Sequence, residues 1–87
     1  MFHYDYKTTG TCSSMIHLDL DGEIVRNVTF DGGCNGNLKA IGLLVEGQTV
    51  DYIVEKLSGN LCGFKQTSCA DQLSKAVRAA KIALAEQ

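Results

Sequence analysis

At 87 residues, 45% hydrophobic and with a formal charge of −2, the chain has room for one small core and lacks the basic surface that nucleic acid or an anionic membrane demands. No apolar run is long enough to span a membrane, and the N-terminal MFHYDYKTTG lacks the basic-then-apolar order of a signal peptide, so the expectation is a cytoplasmic protein. A core this small is commonly reinforced by a metal, by disulfides or by a partner.

Phe2, Tyr4 and Tyr6 alternate with His3, Asp5 and Lys7, the period of a half-buried strand. TTGTCSS, from Thr8 to Ser14, is a loop by composition and carries Cys12. Ile16, Leu18 and Leu20 then alternate with His17 and Asp19 in a second strand, and Ile24, Val28 and Phe30 share one parity in a third, with Arg26 as the exception. All these apolar positions are even-numbered, so the expected connection is the odd-length DGE at 21–23 rather than a two-residue Asp-Gly turn. His3 and His17 fall on the polar parity of their strands and are expected to face solvent.

The third strand runs out through FDGGCNGN, where Cys34 stands among glycines, with Asn35 and Asn37 as turn or cap residues. Leu38, Ile41 and Val45, with Leu44 beside them, predict a helix stopped at Gly47. Thr49 is placed to cap a second helix carrying Val50, Ile53, Val54 and Leu57 and ended by Gly59. NLCGFKQT is a loop holding Cys62. The last helix starts near Ser68 or Cys69, buries Leu73, Ala76, Val77, Ala80 and Leu84, and turns Lys75, Arg78 and Lys81 to water; Ser68 and Asp71 approximate a capping box. The fold class is α+β, a three-stranded antiparallel sheet followed by three helices packed on one face, forming a single domain over residues 1–87.

Four cysteines in a cytoplasmic chain point to metal binding or thiol chemistry, because that compartment keeps thiols reduced. None of the four falls mid-face in a periodic apolar segment, where a core cysteine belongs. Cys34 and Cys69 are placed at helix starts, where unpaired N–H groups favour a thiolate. The glycines around Cys34 allow backbone N–H groups to approach a sulfur. The spacing C-x21-C-x27-C-x6-C contains no CxxC, so zinc-ribbon and thioredoxin patterns are not matched. If Cys12, Cys34, Cys62 and Cys69 converge at one end of the sheet, four thiolates make a tetrahedral site for a zinc ion or an iron–sulfur cluster. The other reading is a thiol–disulfide relay in which Cys62 and Cys69 pair reversibly and donate electrons to a reductase. No Ser/His/Asp arrangement, phosphate loop or carboxylate pair stands out.

GGCNGN around Cys34, CG at Cys62 and Gly63, TSCADQL from Thr67 and TTGTCSS around Cys12 together resemble the TSCPD family of small four-cysteine proteins across nearly the whole chain. Ala70 stands where the family name has proline. Related domains end the adenosylcobalamin-dependent ribonucleotide reductases. The resemblance therefore implies a link to deoxynucleotide synthesis and a reductase as protein partner, while the chain is too short for a reductase barrel and is not expected to be an enzyme alone. In order of elements the chain is also similar to the iron–sulfur scaffold proteins of the IscU/NifU type, whose three cluster or zinc cysteines fall by position on Cys12, Cys34 and Cys69. Ser14 stands where the scaffold has Asp and Ser68 where it has His, and Cys62 is additional. Four thiolates without the labilising carboxylate imply a more closed, more structural site, and iron–sulfur cluster assembly or transfer stays as the alternative that this resemblance implies.

Overall fold

The computed structural model describes residues 1–8, 13–32, 35–58 and 69–87. In chain order its elements are β1 (Phe2–Lys7), β2 (Ser13–Asp21), β3 (Ile24–Gly32), α1 (Asn35–Val45), α2 (Val50–Leu57) and α3 (Cys69–Ala85). The strands form one antiparallel sheet in the order β1-β2-β3. This is the α+β architecture expected from the alternating first third and the helical remainder.

The β1–β2 register pairs Phe2 with Leu20, Tyr4 with Leu18 and Tyr6 with Ile16, so aromatic rings sit opposite aliphatic side chains on one face. On the other face His3 pairs with Asp19 and Asp5 with His17. The helices cover the apolar face only: α1 lies against β3, α3 against β1 and β2, and α2 against α3. Ile16, Leu18, Leu20 and Val25 from the sheet meet Val50, Ile53, Leu73 and Val77 from the helices in one core. Each such aliphatic side chain contributes about 1.5–3 kcal/mol on leaving water.

The second hairpin departs from the sequence expectation. Asp21 pairs with Ile24, so the connection is the two-residue Gly22-Glu23 and not DGE. Gly22 supplies a positive φ of 62° at the first central position, the requirement of a type II′ turn. An even loop sends the odd-numbered Val25 inward, opposite Leu20, where it is fully buried, while Ile24 is only half-buried. A β-bulge then restores the even parity. Between the pairs His17–Thr29 and Asp19–Arg26 the third strand carries one extra residue, and Asn27 there adopts φ 55°. Val28 and Phe30 thereby return to the core side. The bulge frees the Asn27 backbone N–H, which donates to Glu46 Oε1 at 2.8 Å, with Arg26 Nη1 3.4 Å from Glu46 Oε2. Strand β2 also reaches back to Ser13, into what composition marks as loop.

The helix boundaries follow local chemistry. Gly47 ends α1 with φ 81°, and Thr49 caps α2 by accepting the Tyr52 N–H on Oγ1 at 3.1 Å. The α1–α2 connection is laid along the start of β3: Val25 N–H donates to Gln48 O, Gly47 N–H to Val25 O and Val50 N–H to Glu23 O, at 2.8–3.0 Å. Gly42 lets α1 approach β3 closely, for a Cβ there would lie 2.8 Å from the Val28 carbonyl oxygen. Leu38 and Val45 are buried beside it, whereas Leu44 points to solvent. Along α3, Leu73, Ala76, Val77 and Ala80 are buried and Lys75 and Arg78 exposed, as the periodicity requires. Lys81 reaches Glu23 and Asp51 at 3.3 and 3.4 Å. The Gly59 stop and the Ser68 half of the capping box lie outside the described residues. No described helix is long and apolar enough to cross a membrane.

Candidate functional site

Of the four sequence-predicted ligands, Cys69 is described: it is the first residue of α3 and is half-buried. Cys12, Cys34 and Cys62 lie outside the described residues. Their chain neighbours are placed. Ser13, next to Cys12, pairs with Gly32, two residues before Cys34, at the open end of the β2–β3 hairpin, and α1 begins at Asn35, the residue after Cys34. At the opposite end of the sheet, Leu84 and Gln87 share a hollow with Phe2, Leu20 and Gly22, which fixes the C-terminal end of α3 at the hairpin turn. A 17-residue helix is about 25 Å long and a nine-residue strand about 30 Å. Packed on β1 and β2 from that fixed end, α3 carries Cys69 toward the end where Ser13 meets Gly32.

The start of α3 is interior. Ala70, Asp71, Gln72, Leu73 and Ser74 are all buried, with Asp71 5% and Gln72 1% exposed. The Ser74 hydroxyl donates to the Asp71 carbonyl at 2.6 Å, and Lys75 Nζ lies 3.4 Å from the Asp71 carboxylate. The first turn and a half of α3 thus mixes polar side chains into a buried helix start, where surface capping alone would leave them in water.

The open face of the sheet carries a second constellation. His3 Nδ1 donates to Asp19 Oδ1 at 2.7 Å, and His3 Nε2 donates to Asp5 Oδ1 at 2.7 Å. His17 Nδ1 donates to the same Asp5 oxygen at 2.6 Å, and His17 Nε2 to Asp31 Oδ2 at 2.9 Å. The two imidazoles are nearly parallel, 11° apart, with centroids 6.3 Å apart. Asp19 is held from its other side by the Asn27 amide, Nδ2 to Oδ2 at 2.9 Å. The row Asn27–Asp19–His3–Asp5–His17–Asp31 crosses all three strands. Carboxylates only accept, so four ring nitrogens facing carboxylates call for four N–H groups, the state of two imidazolium rings. Accordingly His3 is raised above the ordinary histidine value, first by its bond to Asp19 and then by that to Asp5, and His17 first by Asp5 and then by Asp31. Asp5 is lowered, chiefly by His17, and Asp19 is lowered, chiefly by Asn27 and then His3.

Sequence parity places His3, Asp5, His17 and Asp19 on a solvent-facing side without indicating that they meet. The missing quantity is the register between β1 and β2, together with the bulge that sets Asn27 beside Asp19. Two amphipathic strands with His and Asp at alternate positions on their polar faces are the available signal.

Compared with known proteins, residues 3–81 match the family model described as the TSCPD domain. The chain belongs to the TSCPD family. Neither a curated protein nor a solved structure matches it. In this TSCPD protein the matched segment runs from the start of β1 into the last turns of α3 and includes all four cysteines.

Proposed function

We propose that this TSCPD protein is a metal-binding module in which Cys12, Cys34, Cys62 and Cys69 hold a zinc ion or an iron–sulfur cluster. The observation that carries the reading is the pairing of Ser13 with Gly32 at the sheet end toward which α3 directs Cys69. That arrangement brings the chain flanking three of the four cysteines to one end of the domain, and the family match spans all four. The donor set fits the group: thiolates select zinc or iron–sulfur clusters over hard cations. A closed four-thiolate site supplies folding energy, about 10 kcal/mol or more for structural zinc. An 87-residue chain with so small a core gains most from such a tie.

The module acts through a protein partner rather than by its own catalysis. The family resemblance makes a ribonucleotide reductase the first partner to test, with the domain docking as an accessory part. Described residues offer such a partner an open apolar hollow between β3 and α1, lined by Val28, Phe30, Leu38 and Leu43.

The test is anaerobic purification followed by elemental analysis and an absorption spectrum, for the native chain and for Cys69→Ser. One equivalent of zinc without colour, or iron and sulfide with a brown chromophore, supports the reading when it falls by at least half in the variant. A metal-free native chain with two thiols reversibly oxidised would overturn it in favour of the relay.

A further inference from the structure

We propose that the open face of the sheet is a second metal site, binding a divalent ion of the zinc class through His3 Nε2, the Asp5 carboxylate and His17 Nδ1. This goes beyond the four-cysteine reading and uses none of its residues.

The geometry already converges. One ligand atom from each of His3, Asp5 and His17 lies within 4.8 Å of the other two. Asp5 Oδ1 stands 2.7 Å from His3 Nε2 and 2.6 Å from His17 Nδ1. Ligands bound tetrahedrally at about 2.1 Å are about 3.4 Å apart, so small ring and carboxylate rotations open room for the ion. All three side chains are on the surface, at 59%, 48% and 27% exposure, which leaves room for such rotations and for water in the remaining positions.

The surroundings orient the ligands as a metal site requires. Each histidine turns one nitrogen to Asp5 and the other to a separate carboxylate, His3 to Asp19 and His17 to Asp31. A carboxylate on the far nitrogen fixes the ring and its tautomer and raises its basicity toward a metal. Asp19 is in turn fixed by Asn27, and Asn27 by the bulge and by Glu46 at the end of α1. The row is therefore tied to the fold at one end rather than assembled from free surface side chains.

Charge also balances. With both rings protonated the three carboxylates and two imidazoliums sum to −1. Replacing the two protons that face Asp5 by one divalent cation leaves the sum at −1. The ion takes the place of those protons and releases them to solvent. Two imidazoles and a carboxylate suit zinc, copper or nickel; magnesium and calcium, which take oxygen ligands, are not expected.

The experiment is a Zn²⁺ titration of the full chain at pH 7.5, already loaded at its cysteine site, followed by nitrogen-edited NMR of the imidazoles. The expected result is saturation at one further equivalent, with His3 coordinated through Nε2 and His17 through Nδ1. Asp5→Asn and His17→Gln should each weaken this step at least 10-fold. Asn27→Gly, which tolerates the positive φ but lacks the amide, should weaken it several-fold while circular dichroism stays unchanged. Failure of the two rings to shift together, coordination of His17 through Nε2, or equal affinity in Asp5→Asn overturns the proposal. Metal retained at the cysteines in His17→Gln keeps the two sites' outcomes separate.

Discussion

Gly42→Ala tests how α1 is seated. Its added methyl would lie 2.8 Å from the Val28 carbonyl oxygen, a backbone atom within the sheet that cannot swing aside. An unstrained contact needs about 3.4 Å, so α1 must retreat by about half an ångström, loosening Leu38 and Val45 beneath it. Overpacking of this kind costs about 1–3 kcal/mol, against which the helix gains about 0.8–1 kcal/mol from replacing glycine by alanine. The net is a loss of up to about 2 kcal/mol, or a fall in Tm of up to about 15 °C for a domain of this size. Gly36→Ala is the matched control: it lies in the same helix, and a Cβ there meets nothing within 4 Å. It should hold or raise the Tm. Thermal melts of both variants, metal-loaded and at equal concentration, decide the matter. If Gly42→Ala is as stable as Gly36→Ala, α1 does not rest on the backbone of β3, and the placement of Asn35 beside the cysteine end loses its support.

Removing the Thr49 hydroxyl with Thr49→Ala should cost about 1 kcal/mol, read by chemical denaturation, because the Tyr52 N–H loses its cap acceptor. Leu73→Ala should cost about 2–5 kcal/mol by the same measurement, since Leu73 is fully buried at the centre of the core. In chelator and low salt, His3 and His17 should titrate above the ordinary 6.5, and Asp5 and Asp19 below the ordinary 3.8. The histidines' share of stability is complete below 6.5 and lost as pH rises through their raised values; the aspartates' share is present above 3.8 and lost as pH falls through their lowered values. The row should therefore contribute most between those limits, and Asp5→Asn should bring the His17 midpoint down in an NMR titration. An unshifted His17 midpoint in that variant would contradict the geometry.

Much of the fold was legible because local chemistry and burial agree. Phe2, Tyr4 and Tyr6 alternate cleanly, Thr49 and Gly47 sit where a cap and a stop are needed, and the α3 face from Leu73 to Ala80 keeps one helical period. The third strand was misread for a physical reason. A two-residue turn and a one-residue bulge each shift parity by one, and the two shifts cancel by Val28, so the even-numbered pattern survives while Val25 is the residue that goes inward. The His–Asp row was illegible because it depends on cross-strand register, which joins residues 12 to 16 apart. For the cysteines, sequence placed Cys69 at the start of the last helix, where it is found. The burial of this helix start is not legible in the sequence, where Asp71 reads as a capping-box acid and three polar residues, Asp71, Gln72 and Ser74, fall within four positions.

X-ray absorption at the metal edge, on protein carrying a single equivalent of zinc or any iron present on purification, tests the proposed four-cysteine site most directly. A first shell of four sulfur atoms at about 2.3 Å is the predicted result. A shell dominated by nitrogen and oxygen, unchanged in Cys69→Ser, would contradict it.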